Sequence, residues 1–168
     1  MPAPTLTPLA AAVLEVGDPE RVLEVECGAG EATLFLSREF PRARIRGVDR
    51  SEAAIRSATA KIGLDPEGRV AFKVGSPHSL PFPDTQFDLV VLVDASPVAA
   101  EIARVLRPGG NFVLADTGRS RAPGGLRGWL GRRRLEHLGF VTVHAAPSGD
   151  GSFSVARLGG TGPAGPSL

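Results

Sequence analysis

The residues Glu24-Val25-Glu26-Cys27-Gly28-Ala29-Gly30 join an apolar run to a helical pattern. Small residues at such a turn let the backbone approach a ligand closely, and the first turn of the helix offers free N–H groups. Asp49 follows the glycines at about the 20-residue spacing of nucleotide-binding turns, at the end of a second apolar run. A carboxylate there can accept both hydroxyls of a ribose. Two further strand-like runs lead into Gly75-Ser76-Pro77-His78 and Asp94-Ala95-Ser96. His78 and Asp94 are candidate bases for an oxygen acceptor. Each of these residues also has a plainer meaning: a tight turn for the glycines, a helix cap for Asp49 or Asp94, a loop position for His78. Cys27 has no metal-ligand or nucleophile pattern around it and reads as a small buried hydrophobe.

The elements that must position these residues alternate. Strands are expected at 21–26, 43–48, 69–74, 87–93 and 111–115, and helices at 31–40, 51–62, 97–106 and 126–138. Ser51 has the type and place of an N-cap. The run Phe87-Asp88-Leu89-Val90-Val91-Leu92-Val93 is continuous enough to be central in a sheet covered on both faces. Two last strands, 140–144 and 152–157, are joined by a connection too short for a parallel crossover, so they pair antiparallel. The sum is an α/β domain with a mainly parallel sheet, which binds ligands at the carboxyl ends of its strands.

The chain has 168 residues, 42% hydrophobic and 22% charged, with a net charge of +1. That balance gives no field that implies nucleic acid or an acidic membrane. One cysteine allows no internal disulfide and suits a reducing, cytoplasmic setting. The apolar N-terminus lacks a basic leader region and reads as a short helix, and no run is long enough to span a bilayer. Residues 1–158 are expected to form one domain, and 159–168, rich in Gly and Pro, a disordered tail. Arg119, Arg121, Arg127 and Arg132 to Arg134 crowd the last helix; with only Trp129 as an aromatic neighbour, a solvated face is the simpler meaning. Trp129 itself suits packing, and His137 and His144 a structural or exposed place.

Leu80-Pro81-Phe82-Pro83-Asp84-Thr85-Gln86-Phe87-Asp88-Leu89-Val90, followed by Glu101-Ile102-Ala103-Arg104-Val105-Leu106-Arg107-Pro108-Gly109-Gly110, resembles the class I S-adenosylmethionine-dependent methyltransferases, in their small-molecule branch. Leu138-Gly139-Phe140 fits the same pattern, and the resemblance runs over about residues 20 to 158. It implies a Rossmann-like three-layer sandwich with a seven-stranded, mostly parallel sheet whose last strand is antiparallel. It also implies S-adenosyl-L-methionine as cofactor and a small-molecule acceptor. Carried over by position, Glu24, Glu26, Cys27, Gly28, Ala29 and Gly30 would hold the methionine part. Asp49 would take the ribose hydroxyls, and Arg50 would lie against the adenine. Ser76 and Pro77 would sit at the adenine edge, and Val93 and Asp94 near the sulfonium and the acceptor. No fixed catalytic residue carries over, because alignment supplies most of the acceleration of methyl transfer.

Three features depart from the family's pattern. Glu26 stands where the loop usually begins with glycine. Ser76 stands for an aspartate, and Pro77 lacks the N–H that usually meets the adenine ring. The segment before Glu101 is short, which leaves the pocket open unless another chain closes it. These departures motivate a second expectation, a catalytically degenerate relative that acts as a binding or scaffold partner. A nicotinamide-dependent oxidoreductase fits less well, since its fingerprint wants a glycine where Thr33 stands.

Overall fold

The computed structural model describes residues 5–119 and 126–160, the side chains of 126–130 excepted. Residues 122–125, most of the Gly/Pro tail and the side chain of Trp129 therefore lie outside it. The elements in chain order are α1 (Thr7–Val13), β1 (Arg21–Val25), α2 (Glu31–Glu39), β2 (Arg44–Asp49), α3 (Glu52–Ala60), β3 (Val70–Val74) and β4 (Phe87–Val93). Then follow α4 (Ala99–Val105), β5 (Leu106–Asp116), α5 (Leu126–His137), β6 (Phe140–Ser148) and β7 (Gly151–Leu158).

The seven strands form one sheet in the order β3-β2-β1-β4-β5-β7-β6. β1 pairs parallel with both β2 and β4, so the chain reverses its direction of travel across the sheet between them. β7 is antiparallel to β5 and to β6. Val22, Ile45, Leu89, Val91, Val113 and Val155 face one layer, which includes Leu9 and Leu36 of α1 and α2. Leu23, Val90, Leu92 and Phe112 face the other, with Ile102 and Val105 of α4. Alternation along each strand divides the apolar residues between two cores.

The motif text of the sequence becomes a bonded frame here. Arg104 Nε and Nη2 donate to Glu101, its Nη1 to the Asp84 carboxylate and the Phe82 carbonyl, and Nη2 also to the Leu80 carbonyl. Glu101 in turn accepts from the Leu80 N–H at 2.6 Å. The bonds to Arg104, with the Leu80 N–H, hold the Glu101 carboxyl below the usual range. Asp88 accepts from the N–H groups of Glu20 and Arg21 and fixes the entry to β1.

Some boundaries differ from expectation. β5 starts directly at Leu106, where Leu106 pairs with Phe87 before a register shift, so Pro108-Gly109-Gly110 lies within a strand and not after a helix. The last hairpin is tighter, with Ser148 paired to Gly151. α3 ends at Ala60, two residues before the expected end at 62, with Lys61 at its C-cap.

Candidate functional site

The carboxyl ends of β1, β2 and β4 meet around a cleft of about 860 Å³. Its walls are Glu26, Arg50, Pro77, His78, residues 94–100, Arg134, His137 and Leu138. Five of the residues singled out in the sequence, Glu26, Arg50, Pro77, His78 and Asp94, thus converge on one space.

The loop after β1 has a packed underside. Glu24 is 2% exposed and accepts a short hydrogen bond from the Thr33 hydroxyl. Burial pushes its carboxyl up to about 8, against the lowering effect of that bond. At neutral pH it is mostly a neutral acid that ties β1 to the first turn of α2. Glu24 therefore sits beneath the loop and not on the cleft wall. Gly30 starts α2 with φ +86°, and a Cβ there would lie 2.8 Å from the Phe72 ring and 2.9 Å from Ala58 Cβ. Its smallness serves the packing of α2 against α3 and β3. Cys27 is buried, and burial followed by Glu24 and Asp49 keeps it a thiol by raising its pKa.

The upper side is open and polar. Gly28 has φ +53°, and a Cβ there would meet nothing within 4 Å. Its N–H donates to Asp49 Oδ2 at 2.9 Å, while Asp49 Oδ1 accepts from Ser51 N–H. Ser51 caps α3 by accepting from Ala54 N–H, so Asp49 joins two turns and is not itself the cap. A carboxylate has about four acceptor sites, so this one retains capacity for two more donors. Ala29 accepts from Lys61 Nζ, which also pairs with Glu31. Glu26 has a left-handed backbone, φ +58°, a conformation that favours glycine. Its side chain turns to Arg50, with 2.9 Å between Oε1 and Nη2. The carboxylate therefore lies along the wall and pairs with the residue expected against adenine.

At the other wall Asp94 also has a left-handed backbone, φ +53°. It accepts from the N–H and hydroxyl of Thr117 at 2.8 and 2.6 Å. The helix that follows is capped at Val98, which corrects the cap reading of Asp94. Strained non-glycine residues persist where surrounding structure fixes them, often at functional positions. Ser76 accepts from His78 N–H through its hydroxyl, so that N–H is engaged within the turn. Val93 is half-buried and packs on the core under the cleft.

Arg134, His137 and Leu138 were not selected from sequence, yet they line the cleft. They come from the end of α5, far along the chain, and only the adjoining Leu138-Gly139-Phe140 pattern pointed to that region. His144 stacks on Phe153, 5.5 Å between ring centres, on the edge strand away from the cleft.

Comparison with known proteins agrees with this geometry. Residues 22–110 match the family described as a methyltransferase domain. A fatty-acid O-methyltransferase of Mycolicibacterium smegmatis is 36% identical over 104 residues, 58% of this chain and 37% of that protein. A ubiquinone/menaquinone biosynthesis C-methyltransferase of Geobacter sulfurreducens is 37% identical over 112 residues, 60% of this chain and 44% of its own length. The chain spans less than half the length of these two relatives. In fold, a SAM-dependent methyltransferase of Aquifex aeolicus superposes with a TM-score of 0.72 at 21% identity, over 92% of this chain and 93% of the other. Matched family, strand order and motif frame together make this chain a member of the class I S-adenosylmethionine-dependent methyltransferases.

Proposed function

We propose that residues 1–158 form one unit that binds S-adenosyl-L-methionine and transfers its methyl group to a small-molecule acceptor. The observation that carries this reading is the open upper face of the loop at Gly28, bonded to a carboxylate, Asp49, that retains acceptor capacity. The residues present fit the cofactor. A Cβ at Gly28 would meet nothing within 4 Å, the Glu26 carboxylate can meet an ammonium group, and the cleft volume lies in the range of ligand sites.

When bound, the cofactor supplies an electrophilic methyl group. The chain's own residues supply position. Asp49 would accept the ribose hydroxyls, Glu26 would pair with the ammonium group, and Gly28 and Ala29 would give backbone access, with Gly30 packed beneath them. Arg50 and Pro77 border the adenine side, and Val93 with Asp94 the acceptor side. Proximity of this kind is the main source of rate in such transfers. His78 and His137 stand in the cleft and can take a proton from an oxygen or nitrogen acceptor. A partner chain over the cleft would exclude water from the transfer. The lone buried thiol at Cys27 supports a cytoplasmic setting. Among the described residues no helix is long and apolar enough to cross a membrane.

One observation favours the degenerate alternative. The Glu26–Arg50 pair joins the two residues assigned to opposite ends of the cofactor. The pair must open, or accept the cofactor as it stands. Calorimetry and a methyl-transfer assay on wild type and on Glu26→Gly with Ser76→Asp separate the readings. Cofactor binding and turnover by the wild type at the level of the double variant support the enzyme. Binding restored only in the double variant supports the degenerate partner.

A further inference from the structure

A second polar hollow lies at the opposite rim of the sheet, where β1, β2 and β4 begin. It has a volume of about 330 Å³ and is lined by Arg21, Arg44, Arg46, Gln86 and Phe87. Arg21 and Arg44 are direct neighbours across the parallel β1–β2 ladder, and Leu23 is opposite Arg46. Alternation places Arg44 and Arg46 on one face of β2. The connection from β3 to β4, residues 75–86, contains no helix, and the arginines line a hollow on this side of the sheet.

The guanidinium of Arg46 is held in place. Its Nη1 donates to the carbonyls of Ile45 and Arg69, each at 3.0 Å. Arg21 and Arg44 are exposed. Among the described residues, no carboxylate forms an ion pair with any of the three. Two nearby acids are engaged with backbone, Asp88 with the N–H groups of Glu20 and Arg21 and Asp65 with that of Val70, while Asp18 and Glu20 line an adjoining hollow with Arg21 and Arg44 and form no ion pair with them. Burial, then the charges of Arg44 and Arg21, hold the Arg46 guanidinium below its ordinary range, with Asp65 opposing. Like charges facing one another across a ladder destabilise a sheet. A bound dianion would reverse that sign and match the planar donor forks of arginine.

We propose that Arg21, Arg44 and Arg46 form a binding site for the phosphate group of a small molecule, separate from the methyl-transfer cleft. The hollow is at the small end of the range for ligand sites. Gln86 adds a side-chain amide for a phosphate oxygen or its ester. Phe87 is 1% exposed and offers no face for a nucleobase. That absence of a stacking platform in the hollow favours a compact phosphate over single-stranded RNA.

The test is calorimetric titration of the full chain with inorganic pyrophosphate at low ionic strength. Wild type is compared with Arg21→Gln/Arg44→Gln and with the control Arg38→Gln on α2. Thermal melts check that each variant is folded, so the result stands apart from whether the cleft binds its cofactor. The expected result is saturable binding, weakened about tenfold or more in the double variant and unchanged in the control. Equal binding by all three proteins, or none up to roughly 10 mM, overturns the proposal. Tighter binding of an oligoribonucleotide than of pyrophosphate, through the same two arginines, also overturns it in favour of an RNA surface.

Discussion

The loop after β1 has two sides that obey different rules. Below, Glu24 and Thr33 bond to each other, Cys27 is buried, and Gly30 lies close against Phe72. Above, Glu26, Arg50, Pro77 and Asp94 face a cleft; Glu26 and Pro77 depart from the family's usual residue types, and Glu26 and Asp94 have a left-handed backbone. Glu24 and Glu26 are two residues apart. One is a buried neutral acid, and the other is an ion-paired carboxylate on the wall. The comparison teaches that the packed underside of a strand-to-helix loop can be fixed by its neighbours while the residues above it are free to differ. Packing constrains the underside regardless of what binds above.

The largest test of the contrast is Glu24→Gln, which keeps a polar partner for Thr33 and removes the buried ionisable group. The folded carboxyl has a raised pKa, so its protonated form stabilises the native state fully below the unfolded value near 4.5. That contribution is lost as pH rises toward about 8. The variant should therefore be close to wild type at pH 5 and more stable at pH 9, by about 4 kcal/mol. Melts across pH check this. A wild type that gains stability between these pH values relative to the variant would reverse the sign and refute the assignment.

Next in size is Gly30→Val. It adds a side chain at φ +86° with a Cβ within 3 Å of Phe72 and Ala58. Backbone strain and overpacking together should cost about 3 kcal/mol, read by denaturant unfolding. A loss below about 1 kcal/mol would show that the underside yields easily.

The smallest effect is expected above the loop. Glu26→Gly relieves left-handed strain and removes an exposed ion pair, two terms of opposite sign and similar size. Stability should change by less than about 1 kcal/mol, while cofactor affinity changes. A large loss of stability would mean that the upper side is as structural as the lower.

How much of this could be read beforehand follows from the same division. The strands and both cores rest on apolar runs such as Phe87–Val93, which the sequence shows directly, whereas the strand order does not follow from them. The pattern from Leu80 to Gly110 proved to be a bonded frame around Arg104, a contact set that resemblance indicated but spacing could not derive. Strand β6 runs beyond the expected 140–144 to Ser148, because Ala145-Ala146-Pro147-Ser148 combines small residues with a proline and has the composition of a turn. Asp94 was open to a cap reading because Thr117, its partner, lies 23 positions away. Arg134 and His137 reach the cleft only through the docking of α5, which no local signal encodes.

The central claim is that Asp49 grips the ribose of S-adenosyl-L-methionine above the Gly28 turn. Calorimetric titration of the cofactor into wild type and Asp49→Asn tests it most directly, since the amide preserves shape and removes the charge. Saturable binding by the wild type, weakened about tenfold or more in the variant with the melt little changed, is the predicted result. No heat up to roughly 1 mM cofactor, or equal affinity in both proteins, would contradict the account.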